Sequence, residues 1–302
     1  MRSHMQSLVT EVQASLAASL EAVDGSGRFR RDSWSREGGG GGTSCVLQDG
    51  AVFEKAGVNV SSVHGTLTPE AARSMGGGKD LGDQALEFFA CGVSVVIHPH
   101  NPMAPTAHFN YRYLERGKPE APAAWWFGGG ADLTPSYLFE DDARHFHRIH
   151  KEACDKHDPA FYPRFKKTCD DYFLIMHRGE RRGIGGIFFD DLHDRPKENL
   201  LAFVRDCAHG FERAYVPLVT LRKDMPYTSA NKRWQQLRRG RYAEFNLVYD
   251  RGTLFGLRTA GRVESILMSL PLTARWEYDV KVDPGSPEDQ ITQVLREPRD
   301  WV

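Results

Sequence analysis

The 302-residue chain lacks several features that mark common classes of protein. It has only five cysteines, they are scattered, and none forms a C-x-x-C pair, so a cysteine-held zinc or iron–sulfur cluster is not expected. An odd number of dispersed cysteines is typical of reduced, buried thiols in a cytosolic protein. We therefore expect a cytoplasmic protein whose free cysteines are Cys45, Cys91, Cys154, Cys169 and Cys207.

Long apolar runs and an excess of one charge are also absent. No segment approaches the roughly 18 to 20 apolar residues that span a bilayer. The formal net charge is -1, from 39 basic and 40 acidic residues. Wholesale binding to nucleic acid needs a cationic surface. We expect neither a transmembrane segment nor a nucleic-acid partner.

No internal repeat and no Pro- or Ser-rich linker divides the chain. Residues 1–5 resemble a cloning remnant and are set aside. The remaining residues, 6–302, are expected to form a single domain, since this length can bury one large core.

Hydrophobic periodicity predicts blocks of helices and blocks of hairpins. Helices are predicted over 5–24, 82–90, 139–153, 165–176 with an end near 183–186, 197–216, and from Ser286 onward. Strands are predicted within 28–64 with a turn at 48–50, over 92–98, at 187–189, and as a hairpin over 241–259 with its turn at 250–252. This order favours an α+β fold, with a large, mainly antiparallel sheet flanked by helices on both faces.

Three glycine clusters lack the context of a nucleotide-binding loop. Gly38–Gly42 precedes a strand-like segment, and neither 76–79 nor 128–130 continues with the residues that a P-loop requires. We expect no nucleotide cofactor. The third cluster follows Trp125, Trp126 and Phe127, a composition suited to the wall of a ligand site.

The segment from Ser94 to Arg112 carries polar residues at even-numbered positions. If both halves are extended, Ser94 and His98 share one strand face, and His108, Asn110 and Arg112 share another. The prolines between them form a connection that would place the two strands side by side. The sequence thus predicts one polar face bearing a hydroxyl, imidazoles, an amide and a guanidinium.

Two further histidines, His147 and His177, flank the predicted helical stripes. With His98 and His108 they could bind a divalent metal, because imidazole is a ligand for zinc, copper and iron. Their spacing matches no compact motif. Two alternatives stay open: each histidine has a structural role, or the four bind the metal of a hydrolase or oxygenase.

A basic segment surrounds Asp250, beginning at Arg238-Arg239-Gly240-Arg241. Its arginines could form a solvated strand edge that prevents aggregation. They could instead bind a polycarboxylate, since arginine forms paired, charge-assisted bonds with carboxylates. The pattern does not decide between the two.

Several ordered segments resemble the oxygen-dependent coproporphyrinogen III oxidase family. They extend over nearly the whole chain after about residue 28, which is more specific than any single motif. The matching segments are GVSVVIHPHNP, PTAHFNYR, WWFGGGADLTP, HFHRIHKEAC, YPRFKKTCDDYF, HRGERRGIGGIFFDDL, RRGRYAEFNLVYDRGT and GRVESILMSLPLTARWEY.

This resemblance implies the oxidative decarboxylation of two propionates of coproporphyrinogen III to vinyl groups, which gives protoporphyrinogen IX in haem synthesis. Molecular oxygen is the implied oxidant, no organic cofactor is implied, and a divalent metal is an open possibility. The implied partners are the tetrapyrrole, oxygen and a second copy of the chain, with 242–277 near the dimer interface. A non-catalytic tetrapyrrole carrier is the remaining alternative.

The resemblance also implies roles for individual residues. His108 corresponds to a proton donor, and Asp250 to a carboxylate that binds pyrrole N–H groups. Substrate contacts are implied for Ser94, Asn110, Tyr111, Arg112, Asp250, Ala260, Gly261 and Arg262. The positions proposed as metal ligands are His98, His108, His147 and His177.

Overall fold

One antiparallel sheet of seven strands organises the protein. The computed structural model describes residues 1–75, 81–82, 84, 86–259 and 261–302. Within them the strand order is β1-β2-β3-β4-β5-β6-β9, and β7 and β8 form a separate pair. The strands are β1 Arg30–Ser35, β2 Gly40–Gln48, β3 Phe53–Thr66, β4 Glu87–Pro99, β5 Thr106–Lys118, β6 Ala121–Thr134, β7 Leu174–Ile175, β8 Glu180–Arg181 and β9 Gly186–Leu192.

Helices occur before, between and after these strands. They are α1 Arg2–Asp24, α2 Pro69–Ser74, α3 Glu140–Asp155, α4 Phe161–Tyr172, α5 Lys197–Arg222, α6 Ser229–Val248, α7 Arg251–Arg258, α8 Val263–Leu267 and α9 Pro287–Arg296. Among the described residues, none of the helices has the length and apolar character needed to cross a bilayer.

The apolar face of the sheet packs mainly on four helices that precede residue 223. Odd-numbered residues of β5, such as Phe109 and Tyr113, are buried on this face. The Phe109 ring lies 4.5 Å from that of Phe211 on α5. Helices α1, α4 and α5 contact β3, β9 and β5 respectively. The main core therefore lies between this face and α1, α3, α4 and α5, and α6 and α9 add residues such as Trp234 and Ile291 at its border.

The opposite face of the sheet is partly covered by α8 and the residues after it. Ser265 accepts a hydrogen bond from Asn59 Nδ2 at 2.8 Å and contacts the Ser44 hydroxyl at 2.8 Å. The end of the Met268 side chain lies where a Cβ at Gly57 would be, so glycine at that strand position lets Met268 pack against the backbone. Helices thus lie on both faces, and the predicted α+β class is confirmed.

Local signals located several elements correctly. The turn between β2 and β3 places Asp49 in the left-handed region, with φ 54°. Ser286 caps α9 by accepting from the Asp289 backbone N–H. Such caps and turns are set by nearby residues, so they are visible in the sequence.

The predicted hairpin over 241–259 is wrong, because this segment is helical. Helix α6 begins at a capping box on Thr228 and continues through Tyr242 and Phe245 to Val248. Asp250 then caps α7 by accepting from the Thr253 backbone N–H, where a strand turn had been expected. The apparent alternation of apolar residues had concealed a helical spacing of three.

Three smaller predictions also need correction. The predicted helix over 82–90 is wrong at its end, since Glu87 begins β4 and Phe88 and Phe89 face opposite sides; residues 83 and 85 lie outside the described residues. Helix α4 ends at Tyr172 and not near residue 183. Residues 2–5 belong to α1, and Met5 is fully buried.

A buried carboxylate joins the end of α1 to the β2–β3 hairpin. Asp24 accepts hydrogen bonds from the backbone N–H groups of Gly27, Ala51, Val52 and Phe53 at 2.6–3.0 Å. Burial alone would raise the pKa of Asp24, but the four hydrogen bonds outweigh it and lower the pKa to about 2. The ionised form is therefore favoured in the folded chain.

We expect Asp24→Asn to lower the free energy of unfolding by about 2 kcal/mol at pH 7. Because the folded pKa is below the unfolded one, this contribution is complete above pH ~4 and is lost as the pH falls toward about 2. Urea unfolding at pH 7, 4 and 3 measures the difference. Asp224→Asn, at a side chain 84% exposed, is the control. A difference independent of pH would contradict the assignment.

Candidate active site

The predicted polar face exists, and strand register explains it. In the β4–β5 pair Ser94 lies opposite Asn110, and Val96 lies opposite His108. In the β5–β6 pair His108 lies opposite Asp132. Directly paired residues project to the same side of a sheet. Side chains from three strands therefore meet on the face that α8 only partly covers.

The Arg112 side chain lies at the centre of this face, between two glycines of the neighbouring strands. Its strand partners are Gly92 and Gly128. A Cβ on Gly128 would come within 2.8 Å of the Arg112 guanidinium, so glycine is required for this position of the arginine. Arg112 donates to Asn110 Oδ1 at 3.1 Å and to Asp190 Oδ1 at 2.9 Å. The glycine cluster thus serves a close side-chain approach.

His108 is paired with a buried carboxylate. Its Nδ1 lies 2.7 Å from Asp132 Oδ1, and its side chain is 20% exposed. Arg182 donates two hydrogen bonds to the same carboxylate, at 2.8 and 3.0 Å. Burial would raise the pKa of Asp132, but the Arg182 charge and these hydrogen bonds lower it. An ionised Asp132 can only accept, so Nδ1 of His108 is the donor in this hydrogen bond, and Nε2 is available to a ligand.

Arg182 is itself enclosed by aromatic rings. Its guanidinium lies 4.1 Å from the Phe173 ring centre and 4.7 Å from that of Tyr242. It also donates to Asn246 Oδ1 at 2.9 Å. Burial would lower the pKa of Arg182, but Asp132 raises it. A fixed cation therefore lies behind the histidine–carboxylate pair.

Asp250 lies at the start of α7, where its carboxylate is already hydrogen-bonded. Oδ2 accepts from the backbone N–H and the hydroxyl of Thr253, both at 2.8 Å. Oδ1 accepts from the Tyr172 hydroxyl at 2.8 Å. Burial raises the pKa of Asp250, but the Thr253 and Tyr172 bonds and the Arg182 charge lower it overall. Asp250 is therefore a fixed, negatively charged group.

Arg262 lies at the other end of the polar face. It pairs with Asp32 on the edge strand β1 and donates to the Ser265 hydroxyl at 2.9 Å. Its neighbour Gly261 donates its backbone N–H to the Gly256 carbonyl at 2.8 Å. Ala260, also predicted to contact substrate, lies outside the described residues.

Tyr111 differs from the other predicted contacts. As an odd-numbered residue of β5 it faces the core, where it is 1% exposed. Its ring lies 5.5 Å from Phe109 and 6.2 Å from Phe189. Its side chain is therefore not part of the polar face.

The four histidines proposed as metal ligands have separate surroundings. His98 contacts Thr106 and the Ser269 carbonyl, and burial lowers its pKa to about 4. His147 contacts Tyr162 and the Ile184 carbonyl, and burial lowers its pKa to about 3.

His177 lies in a short 3-10 turn and not on α4 as predicted; it contacts Tyr249 and Glu244, each at 2.7 Å. Within the described part of the chain, no group of three or more His, Cys, Asp or Glu side chains is placed to bind a metal. These four residues therefore do not fit a common ion, and no reaction step is assigned to one.

The arginines before Asp250 have internal partners. Arg238 donates to Glu180 at 2.7 Å, and both side chains are buried. Arg239 pairs with buried Glu54 and donates to the Pro99 carbonyl at 2.7 Å. These two arginines form neither a solvated edge nor a polycarboxylate site, because each already has a buried acceptor.

A family model described as coproporphyrinogen III oxidase matches residues 4–301. The chain belongs to the coproporphyrinogen III oxidase family. The match includes strands β4, β5 and β6 of the polar face and the segments that carry Arg182, Asp250 and Arg262.

Curated members of the coproporphyrinogen III oxidase family are similar over the whole chain. An oxygen-dependent coproporphyrinogen-III oxidase of Glycine max is 58% identical over 306 residues, covering 100% of this chain and 80% of that protein. The human enzyme of that name is 60% identical over 306 residues, covering 100% of this chain and 67% of that protein. The expectation of a cytoplasmic protein is wrong, since the Glycine max relative is chloroplastic and the human one mitochondrial.

Four residues of this coproporphyrinogen oxidase site were missed in the sequence. Asp132 could have been found, because it shares the even numbering of the polar face and follows Gly128–Gly130. Arg182, Asp190 and Tyr172 give no such signal, since they reach the site through tertiary packing.

We expect Asp132→Ala to lower the free energy of unfolding by about 3–5 kcal/mol, because Arg182 would remain buried without its counterion. Glu140→Ala, which removes an exposed partner of Arg144, should cost less than about 1 kcal/mol. Urea unfolding compares the two. Equal losses would show that the Asp132–Arg182 pair makes no special contribution.

Proposed function

We propose that this protein catalyses the oxygen-dependent conversion of two propionates of coproporphyrinogen III to vinyl groups, giving protoporphyrinogen IX. The observation that carries the proposal is one polar face that combines a histidine–carboxylate pair, two partly exposed arginines and a fixed carboxylate. The two relatives described above support the proposal, since both are named oxygen-dependent coproporphyrinogen-III oxidases.

The overall reaction balances without an added reductant. Each propionic side chain loses carbon dioxide, two protons and two electrons and becomes a vinyl group. One oxygen molecule accepts the two electrons and two protons and becomes hydrogen peroxide. The protein must therefore orient the substrate, exclude competing reactions and move protons.

Asp250 is the proposed anchor of the pyrrole N–H groups. A carboxylate has about four lone-pair positions for hydrogen bonds. Tyr172 and Thr253 occupy three of them in this structure. This leaves about one position, on Oδ1, so Asp250 would accept directly from one N–H while its own orientation stays fixed.

His108 is the proposed proton donor. Asp132 binds Nδ1, and the edge contact with Phe173, with ring centres 6.2 Å apart, further orients the ring. Nε2 then first accepts a proton, which gives an imidazolium stabilised by Asp132, and donates that proton to the substrate or to reduced oxygen. A general acid placed in this way contributes about 10²–10⁴-fold to the rate.

The remaining polar groups would bind the propionates. Arg112 and Arg262 can each form charge-assisted hydrogen bonds worth about 1.5–3 kcal/mol. Ser94 and Asn110 lie opposite one another on β4 and β5 and can bind a carboxylate between these arginines. In the proposed mechanism, loss of a pyrrole proton lets oxygen add to the electron-rich ring, and the resulting peroxide removes a propionate hydrogen.

We also propose a homodimer formed through the segment 247–278. Large apolar side chains there are exposed in the single chain, which is unusual for a monomeric surface. They include Leu247, Val248, Leu257, Val263, Leu272, Trp276 and Tyr278. Met268 also lies within this segment, but it is 5% exposed and packs on the sheet.

The proposed activity is tested with purified protein and coproporphyrinogen III under air and under nitrogen. We expect oxygen uptake together with the appearance of a divinyl porphyrin product under air, and neither under nitrogen. Binding of the tetrapyrrole without turnover in air would contradict the proposal and favour a carrier.

Asp250→Ala should lower turnover by at least about 100-fold, because the substrate anchor is lost. Asp250→Asn is the matched variant: an amide can still cap α7, but it carries no charge. We expect a similar loss for both, with the dimer intact in sedimentation. If only the alanine variant is impaired, the role of Asp250 is to cap the helix.

A further inference from the structure

Each arginine assigned to the substrate has an internal carboxylate partner. Arg112 pairs with Asp190, and Arg262 pairs with Asp32. The side chains of the first pair are 30% and 23% exposed, and those of the second are 29% and 37% exposed. Both pairs therefore lie at the border between protein and solvent, where a ligand can reach them.

Asp190 also connects the sheet to α7. While its Oδ1 accepts from Arg112 at 2.9 Å, its Oδ2 lies 3.3 Å from the guanidinium of Arg251. Arg251 follows Asp250 directly and lies over the ring of Tyr172, 5.0 Å from its centre. One carboxylate thus lies between two arginines, the arrangement in which a substrate carboxylate would itself bind.

The backbone of β9 is distorted at Asp190. Phe127 and Gly129 of β6 pair with Leu192 and Phe189, so two residues of β9 lie opposite the single residue Gly128. Asp191, the second of these, has a left-handed φ of 52°. Bulges of this kind redirect a side chain, and strained backbone is concentrated at functional sites. Here the bulge directs Asp190 to Arg112.

We propose that Asp190 and Asp32 are substitute carboxylates, which occupy the propionate positions of Arg112 and Arg262 in the free enzyme and are displaced when the substrate binds. The proposal rests on the proposed function. Displacement costs little, because a partly exposed ion pair contributes only about 0–1 kcal/mol. In the free enzyme each aspartate neutralises the charge of its arginine. A ligand without carboxylates cannot replace the aspartate, so breaking the ion pair does not favour its binding. These residues therefore favour polycarboxylate ligands.

The test compares two porphyrins by fluorescence titration: coproporphyrin III, the non-reacting oxidised form of the substrate, and its uncharged tetramethyl ester. We expect Asp190→Asn to bind the tetra-acid roughly two- to fivefold more tightly, with unchanged affinity for the ester. KM for coproporphyrinogen III should fall by the same factor. Asp194→Asn, at a nearby aspartate paired with Arg195 and Arg164, is the matched control and should change nothing.

A second background separates competition from a structural role. In Arg112→Gln/Arg251→Gln, where neither guanidinium paired with Asp190 remains, adding Asp190→Asn should no longer tighten binding. Weaker or unchanged affinity of Asp190→Asn for the tetra-acid, or equal tightening in both backgrounds, would overturn the proposal. Asp32→Asn gives the same test at Arg262, on an edge strand remote in sequence from the bulge.

Failure of this proposal is distinguishable from failure of the proposed function. A wild-type protein that neither consumes oxygen with coproporphyrinogen III nor prefers the tetra-acid to its ester contradicts the function. Wild-type turnover together with an unaltered Asp190→Asn variant contradicts only the substitute-carboxylate role.

Discussion

The buried pair of Asp132 and Arg182 is the interaction on which the site depends. It joins β6 to the segment after β8, and through Asn246 it reaches α6. The aromatic rings around Arg182 exclude water, so the two charges must satisfy one another. The orientation and tautomer of His108 follow from this pair. His108 is thus positioned by residues distant from it in the sequence.

The polar face could be predicted because strands have a simple period. Alternate residues share a face, so the even numbering of Ser94, His108, Asn110 and Arg112 was sufficient to group them. The sheet and most helices around it were also predictable from periodicity and caps. The family resemblance predicted the tetrapyrrole substrate and a role for Asp250. The residue pattern alone predicted neither.

The sequence was less informative where tertiary contacts decide the structure. The segment 241–259 alternates superficially like a hairpin, yet Tyr242 and Phe245 lie on one side of α6, against the sheet and α4. Arg238 and Arg239, just before that segment, have buried acceptors that no spacing rule identifies. The four histidines resembled a ligand set only because the chain gives no distances. Asp190 was missed since its direction depends on a bulge.

The order of elements along the chain has a consequence for synthesis. All seven strands of the sheet precede residue 193, and the four helices on its apolar face end by Arg222. The helices that approach the polar face, α6–α8, follow Thr228. A nascent chain can therefore enclose most of its hydrophobic core early, although Trp234 and Leu237 of α6 and Ile291 and Leu295 of α9 join it later. The face that α6–α8 later cover carries serine, asparagine, histidine and arginine, which water solvates well, but also Val96 and Phe188, so its apolar part stays exposed until these helices are made.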